Sequence, residues 1–175
     1  PQYLLVAVDH CTRYVFLFPA GRTTARHVVK SLGLIRRTFG HIETIVTDNA
    51  SCFRSASLTE HRRAVGTAQI RTSVGHPQAN GLAEQTIRTL TDRLVALLLE
   101  GETSIPGIIP KVAFSLNTTV SESLSKSPFE LLYGFPAVLP GEPPRGGQRP
   151  TQPVQELRRA AHCRLADVQA EMKRK

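Results

Sequence analysis

Hydrophobic residues follow two different periods along the first hundred residues of the chain. β-Branched, aromatic and other apolar residues cluster in four short stretches that we expect to be strands: 3–9, 13–19, 41–47 and 68–74. Apolar residues at steps of three and four instead predict helices over 25–39, 58–65 and 83–100. The first two strands predict an antiparallel hairpin. The later order of strand, helix and strand predicts a parallel crossover, and therefore an α/β fold.

Proline and glycine organise the second half of the chain. A helix is expected at 108–118, and a short helix begins at Pro128 and ends before Gly134. We expect a core over 1–140, a Pro- and Gly-rich linker over 141–154 and a basic amphipathic helix over 155–175. That last helix has three open interpretations: it packs on the core, it lacks structure without a partner, or it is a spacer towards a further domain.

Charge and cysteine content narrow the possible partners. Lys and Arg number 22 against 14 Asp and Glu, and the net charge of +8 is typical of proteins that bind polyanions, although a solvated basic surface is an equal alternative. Three scattered cysteines argue against a disulfide framework or a zinc site and favour a reducing intracellular compartment. The apolar runs are too short for a membrane span, and the start at Pro1 is expected to be internal, not a signal peptide.

Two acidic residues stand where metal chemistry is plausible. Asp48 comes at the end of a predicted strand. Residues 75–81 hold two Gly, a Pro and an Asn-Gly pair, which predicts an irregular, mobile loop leading into a helix. On that helix Glu84 lies off the apolar stripe, on a flank shared with Arg88, so both are expected to face solvent or a ligand. Carboxylates that converge on a cation suit Mg²⁺ or Mn²⁺, but their spacing alone is weak evidence.

Four segments of the chain carry a family resemblance. They are Tyr3–Asp9 with Thr12–Tyr14, Ile45–Asn49, His76–Glu84, and Ser127–Gly134 with the preceding Asn117–Thr119. In this order they resemble the integrase catalytic core of retroviruses and LTR retrotransposons, nearest to the gypsy-like elements. The third segment is the most specific, because it is similar to the family's His-Pro-Gln-x-Asn-Gly loop before the catalytic Glu. The thirty-five residues between Asp48 and Glu84 also match the family's spacing.

The resemblance implies a fold and an activity. The fold would be RNase H-like, a mixed sheet flanked by helices on both faces. The activity would be metal-dependent polynucleotidyl transfer, that is, DNA 3′-end processing and strand transfer. Asp48 would be a ligand shared by two Mg²⁺ or Mn²⁺ ions and Glu84 a ligand of one. Asn49, Asn80 and Arg88 would contact DNA, the partners being retroelement ends and target DNA; a homo-oligomer and a nuclear location are expected.

Alternatives for two of these DNA contacts stay open. Arg88 is equally suited to an i,i+4 ion pair with Glu84. Asn80 and Gly81 are also compatible with a plain turn before a helix.

The chain departs from the family pattern at three places. The family's first catalytic Asp lies on a strand upstream of the segment matching Tyr3–Asp9, and we expect that strand to be missing from this chain, so that the core is truncated at its amino end. We expect Asp9 to be a turn-forming residue of the hairpin and not a replacement for that Asp. Ala50 and Gln85 stand where the family usually has Gly and Arg. The main alternative function is therefore a catalytically inactive, domesticated or fragmentary integrase core that binds nucleic acid or protein. A related RNase H-like nuclease ranks lower.

Overall fold

The computed structural model describes residues 2–72, 77–102, 104–143 and 153–174, with the backbone alone at 77–80, 168 and 171–174. The elements are β1 (Tyr3–Val8), β2 (Val15–Ala20), α1 (Ala25–Phe39), β3 (Thr44–Thr47), a 3₁₀ turn (Ser51–Phe53), α2 (Ala56–Val65), β4 (Ala68–Arg71), α3 (Pro77–Leu99), α4 (Ile105–Thr118), α5 (Pro128–Tyr133) and α6 (Val154–Arg174). All four predicted strands and all predicted helices are present, with ends shifted by a few residues.

The strands form two pairs. β1 and β2 pair as a hairpin, whose turn is closed by a hydrogen bond from Asp9 N to Tyr14 O of 2.9 Å. β3 and β4 pair in parallel, with Thr44 opposite Ala68 and Thr47 opposite Arg71. The predicted hairpin and the predicted crossover are therefore confirmed. The strands lie in two two-stranded sheets instead of one mixed sheet. Within the described ranges, no strand of one pair forms hydrogen bonds with a strand of the other pair.

Side-chain caps and glycines set the ends of several helices. The hydroxyl oxygens of Thr24 and Ser127 accept hydrogen bonds from backbone N–H groups three residues later, at 3.2 and 3.1 Å. Such caps satisfy N–H groups that have no partner in the first helical turn. After α5, Gly134 takes a left-handed conformation with φ of 86°, which glycine adopts without the steric cost that a Cβ atom brings.

The prediction of a loop over 75–81 is wrong for its last five residues. Helix α3 already begins at Pro77, so residues 77–81 are helical, while the loop's first two residues lie outside the described ranges. Proline is well suited to the first turn of a helix, since its missing N–H has no partner there and its φ angle is already helical. The Asn-Gly pair was interpreted as a turn signal, but the helix continues through it.

The chain forms two compact units, each with its own packing. The first comprises residues 1–7 and 17–106. In it α1 packs on α2 and on the 3₁₀ turn, α2 on β4, and α3 on β3. Leu58 of α2 is fully buried and Leu90 of α3 is 3% exposed. This unit contains all the residues predicted to bind metal or DNA.

The second unit comprises residues 8–16 and 107–175. Its core joins Leu124 and Leu131 to Leu157 and Ala161 of α6. Arg158 of α6 donates from Nε to the carbonyl of Leu131 at 2.8 Å and from Nη2 to that of Leu132 at 3.0 Å. These two carbonyls lie in α5 near its end, where carbonyls have no partner within the helix. Helix α6 therefore packs back on the chain, one of the alternatives that the sequence left open.

Across the described ranges, no helix combines the length and the apolar character needed to cross a bilayer.

Candidate metal and nucleic-acid site

A network of hydrogen bonds holds the end of β3 on which the site depends. Thr47, the last residue of β3, is only 8% exposed. The Nε2 atom of Gln69 in β4 donates to Thr47 Oγ1 at 2.8 Å and to the carbonyl of Phe53 at 3.1 Å. From the residue after β4, Thr72 N donates to Thr47 O at 2.9 Å. The strand end and the 3₁₀ turn are therefore tied to the neighbouring strand.

Asp48 follows this anchored strand end and is exposed. Its Oδ1 atom accepts a hydrogen bond from Ala50 N at 2.9 Å, an Asx turn that orients the carboxylate. Oδ2 accepts no hydrogen bond from any residue in the described ranges. Ala50 has φ −57° and ψ 148°, an extended conformation open to all residues, so the glycine usual in the family is not needed at this position.

Asn49 contributes to the same anchoring. Its Nδ2 atom donates to the carbonyl of Thr72 at 2.9 Å, which links the turn after β3 to the residue after β4. The side-chain NH₂ group of Asn49, one of the groups expected to contact DNA, therefore donates a hydrogen bond within the protein. A DNA contact of Asn49 stays a prediction.

Glu84 and Arg88 lie in the first half of α3, and both are exposed, as their position off the apolar stripe predicts. Helix α3 packs on β3, so the element bearing Glu84 contacts the strand that ends before Asp48. Among the described residues, no ion pair links Glu84 to Arg88. The i,i+4 ion pair between Arg88 and Glu84, which was the alternative role for Arg88, is therefore not formed. Asn80 lies in the first turn of α3, and its side chain is outside the described part.

The two carboxylates are compatible with a hard divalent cation. Each has oxygen atoms that no described residue uses, and carboxylate oxygens are the ligands that Mg²⁺ and Mn²⁺ prefer. Mg²⁺ is commonly held by one or two carboxylates and completed by water and substrate phosphates. Within the described ranges, no group of three His, Cys, Asp or Glu side chains could hold an ion. That Asp48 and Glu84 hold one cation together stays a prediction.

The thiol of Cys52 lies near Asp48 but is a poor metal ligand at neutral pH. Burial raises the pKa of this thiol, and the charge of Asp48 raises it further, against smaller opposing effects from backbone hydrogen bonds. Because only the thiolate binds metal ions well, a raised pKa keeps Cys52 in the non-binding form.

Asp9 has the structural role that the sequence predicts. Its Oδ2 atom accepts hydrogen bonds from Thr12 N at 2.8 Å and from Thr12 Oγ1 at 2.6 Å, inside the turn between β1 and β2. The prediction that Asp9 forms the hairpin turn is confirmed. Asp9 belongs to the second compact unit, whereas Asp48 and Glu84 belong to the first.

Two residues of β4 contribute to the site although sequence reasoning did not identify them. Gln69 was interpreted only as part of a strand, yet its amide anchors the residue before Asp48. Arg71 is exposed and lies opposite Thr47 in the parallel register. The available signal was the parallel crossover itself, because the ends of two adjacent parallel strands meet at one edge of a sheet.

The first part of the chain is similar in sequence to a known protein family. Residues 1–77 match the family described as Integrase core domain. This match includes Asp48 and ends before Glu84.

The curated relatives are polyproteins. The chain is 26% identical over 138 residues to the Pro-Pol polyprotein of Simian foamy virus type 3, and 31% identical over 142 residues to the Gag-Pol polyprotein of Avian reticuloendotheliosis virus. It is 23% identical over 141 residues to the retrovirus-related Pol polyprotein from transposon 412 of Drosophila melanogaster. Each match covers 79% of this chain but only 11 or 12% of the relative.

Solved structures share the fold. The simian T-cell lymphotropic virus intasome in complex with PP2A regulatory subunit B56 gamma contains a chain that superposes with a TM-score of 0.69 and 20% identity, covering 86% of this chain and 53% of that one. The HTLV-2 integrase catalytic core domain in complex with magnesium superposes with a TM-score of 0.63 and 21% identity, covering 73% and 82%. The resemblance to integrase catalytic cores and the RNase H-like α/β class are confirmed.

Proposed function

We propose that this chain is the catalytic core of a retroelement integrase, acting in DNA integration as a metal-dependent polynucleotidyl transferase. The observation that carries the proposal is the exposed Asp48 carboxylate, fixed by the Asx turn at the end of β3, with one oxygen left for a cation. The match of residues 1–77 to the Integrase core domain supports it. Because the chain spans about an eighth of its polyprotein relatives, the activity of the whole protein is part of the proposal.

The residues of the chain divide the proposed work between them. Asp48 and Glu84 hold Mg²⁺ or Mn²⁺, which would activate the attacking oxygen and offset charge on the phosphoryl oxygens. The hydrogen bond from Ala50 N keeps Asp48 in one orientation, and the Gln69 amide holds the strand end beneath it. Arg88 and Arg71, both exposed, bind DNA phosphates. Asn49 and Asn80 are the other proposed contacts to DNA.

The proposed partners are retroelement ends, target DNA and further copies of this chain. The solved relatives include an intasome and a trimeric catalytic core, which supports an oligomer for this chain as well. Action on DNA implies a nuclear location. The basic composition of the chain agrees with a polyanionic partner.

A second function is favoured by one specific observation. The Asp9 carboxylate accepts both Thr12 hydrogen bonds in the hairpin turn, and within the described ranges no group of three His, Cys, Asp or Glu side chains could hold a metal ion. The chain would then be an inactive or fragmentary core that binds nucleic acid or protein. The two functions differ in whether DNA is cleaved.

Manganese titration with a matched set of variants tests the proposal. Mn²⁺ is titrated into the 175-residue chain while water-proton relaxation reports bound metal, and cleavage and strand transfer are followed on a short duplex. Asp48→Asn and Glu84→Gln are each expected to weaken Mn²⁺ binding by about tenfold or more and to abolish cleavage. The asparagine oxygen can still accept from Ala50 N, so the turn is retained.

Asp92→Asn is the matched control, because Asp92 is exposed on the same helix two turns beyond Glu84. Its Mn²⁺ affinity should equal that of the unmodified chain. Equal Mn²⁺ affinities in all four proteins would overturn the metal site. Metal binding that depends on both carboxylates, without cleavage, would support the inactive core instead.

A further inference from the structure

Helix α1 lies within the longest stretch of the chain that has no acidic residue. Residues 10–42 contain six Lys and Arg and neither Asp nor Glu. Five of these six basic residues are exposed and lie in α1 or within three residues of its start; they are Arg22, Arg26, Lys30, Arg36 and Arg37. Within the described ranges none of the five forms an ion pair. The positive charge of this helix is therefore not neutralised by any described residue.

Three of these residues share one face of α1. At 3.6 residues per turn, Arg26, Lys30 and Arg37 lie within about 40° of one another around the helix axis. The buried residues Val28 and Ser31 lie on the other side, and α1 packs on α2 and on the 3₁₀ turn. We call Arg26, Lys30 and Arg37 the α1 stripe. All three of its side chains are exposed, so the stripe faces away from the packed side of the helix.

The length of the α1 stripe suits the backbone of a duplex. From Arg26 to Arg37 the helix rises roughly 17 Å, at about 1.5 Å per residue. Each strand of duplex DNA carries one phosphate per about 3.4 Å of its axis, so the stripe spans about five phosphates. Arginine and lysine each present several N–H donors to phosphate oxygens. Three such side chains on one helix face can therefore contact one strand at several phosphates.

Two residues on this face are poor choices for the stability of the helix itself. Arg26 lies in the first turn, which has no acidic residue, and a cation there meets the partial positive charge of the helix dipole. Gly33 lies between Lys30 and Arg37 on the same face, and glycine destabilises a helix interior. Among the described residues, a Cβ atom at Gly33 would meet only Nη1 of Arg37, at 3.7 Å. The helix backbone is therefore open to a partner here, beneath the Arg37 guanidinium.

We propose that the α1 stripe binds the phosphate backbone of duplex DNA, on a surface separate from the Asp48 and Glu84 carboxylates. Arg26, Lys30 and Arg37 each donate hydrogen bonds to phosphate oxygens, with α1 lying along one strand. These contacts are to the backbone alone, so they give affinity and orientation without sequence preference. No divalent metal takes part in them.

Charge favours DNA over a second copy of this chain as the partner. A symmetric pairing of two α1 faces would bring two identical sets of cations together, and neither helix has an acidic residue to separate them. DNA carries the opposite charge at a close and regular spacing, and it releases counterions when cations bind. The α1 stripe therefore complements DNA and not itself.

The test compares two triple variants of equal charge in the presence of a metal chelator. The stripe variant replaces all three stripe residues by glutamine. The control variant replaces three exposed arginines outside α1, namely Arg63, Arg159 and Arg164. Glutamine is a good helix former, so both variants should keep the circular dichroism of the 175-residue chain. Fluorescence anisotropy then measures the affinity of each protein for a short fluorescent DNA duplex at several salt concentrations.

The stripe variant should bind the duplex about tenfold more weakly at low salt. Its salt dependence should fall by about three counterions, one for each lost phosphate contact. The control variant should change the affinity by less than about threefold, because its charges lie outside the stripe. Equal losses in the two variants would indicate diffuse surface charge and would overturn the proposal.

Lysine acetylation reports the contact at a single residue. Lys30 is the one lysine in the sequence of residues 1–110, and it is exposed. Duplex DNA should slow the acetylation of Lys30, measured by peptide mass spectrometry, and should leave the rate at Lys126 unchanged. Lys126 belongs to the second compact unit, which makes it the internal control. An acetylation rate of Lys30 that DNA does not change would contradict the proposed contact.

Two further measurements test other partners. Polyglutamate at the same concentration of charge should not protect Lys30, and protection equal to that by DNA would overturn the choice of nucleic acid. Sedimentation velocity without DNA should give the same oligomeric state for the stripe and control variants. Loss of an oligomer in the stripe variant alone would identify this face as an interface between copies of the chain and would overturn the proposal.

Failure of the proposed catalytic function leaves this test readable. Asp48→Asn should keep the duplex affinity of the unmodified chain in the chelator, because the α1 stripe uses no metal. Conversely, the stripe variant should keep the Mn²⁺ affinity of the unmodified chain.

Discussion

Two aspartates follow strands in this chain, and the structure uses them in opposite ways. Asp9 follows β1, and its Oδ2 atom accepts two hydrogen bonds from Thr12, a residue only 1% exposed. Asp48 follows β3, accepts one hydrogen bond from Ala50 N, and is exposed. The Asp9 carboxylate supports a half-buried turn through two hydrogen bonds, whereas the Asp48 carboxylate accepts one hydrogen bond at an exposed position.

The difference lies in how much of the local structure each carboxylate supports. Both residues form local turns, so turn formation itself does not distinguish them. The distinction lies in the partner: Thr12 offers a buried hydroxyl as well as an N–H group, and these need a strong acceptor. Ala50 offers only an exposed N–H group that water could satisfy.

Replacing Asp9 should have the largest effect on stability. Asp9→Ala leaves the Thr12 N–H and O–H groups without their acceptor, and we expect a loss of about 2–3 kcal/mol in the free energy of unfolding. Urea unfolding followed by circular dichroism measures it. A loss as small as that of Asp48→Ala would show that the two aspartates do not differ as described.

Removing the Thr12 hydroxyl should have an intermediate effect. Thr12→Val keeps the shape and the backbone N–H but loses the hydroxyl's hydrogen bond to Asp9 and the longer one that it accepts from Tyr14 N at 3.3 Å. The expected loss is about 1 kcal/mol in the same urea experiment. Thr23→Val is the matched control, because Thr23 is exposed. If the control loses as much, the effect reflects the exchange of a hydroxyl for a methyl group in general and not the bond to Asp9.

Neutralising Asp48 should hardly change stability. Asp48→Asn retains an oxygen acceptor for Ala50 N at an exposed position, so the free energy of unfolding should change by less than about 0.5 kcal/mol. The unfolding midpoint measured without metal checks this. A larger loss would mean that the charge of Asp48 supports the fold and is not reserved for a cation.

The smallest effect concerns the ionisation of Cys52. Burial and Asp48 both raise the pKa of this thiol, so the folded chain holds the proton more tightly than the unfolded chain. The resulting stabilisation is complete below the ordinary thiol pKa and is lost as pH rises through the raised value. Alkylation of Cys52, followed by peptide mass spectrometry across a pH series, should therefore begin at a higher pH than for a model thiol.

Asp48→Asn removes the negative charge that, together with burial, raises the pKa of Cys52. It should move the alkylation profile of Cys52 to a slightly lower pH, while burial keeps most of the shift. Asp92→Asn should leave the profile in place. An unchanged profile in Asp48→Asn would place the Asp48 charge too far from the thiol to act on it.

The sequence by itself determined the local features of this protein. Thr24 and Ser127 cap helices and Gly134 ends one in a left-handed conformation, while Asp48 lies directly after a strand, as predicted. These features depend on residues within about four positions of each other, so a local pattern specifies them. The family motifs added the pairing of Asp48 with Glu84 as a prediction.

Only the tertiary structure decided which distant groups meet. Asn117 accepts from Val15 N at 2.7 Å and donates to Val15 O at 2.9 Å, across 102 residues of chain. Gln69 reaches Thr47, and Arg158 reaches the end of α5. A polar side chain has the same donors and acceptors wherever the chain places it. Its partner therefore depends on how strands and helices pack, and that packing is a property of the whole chain.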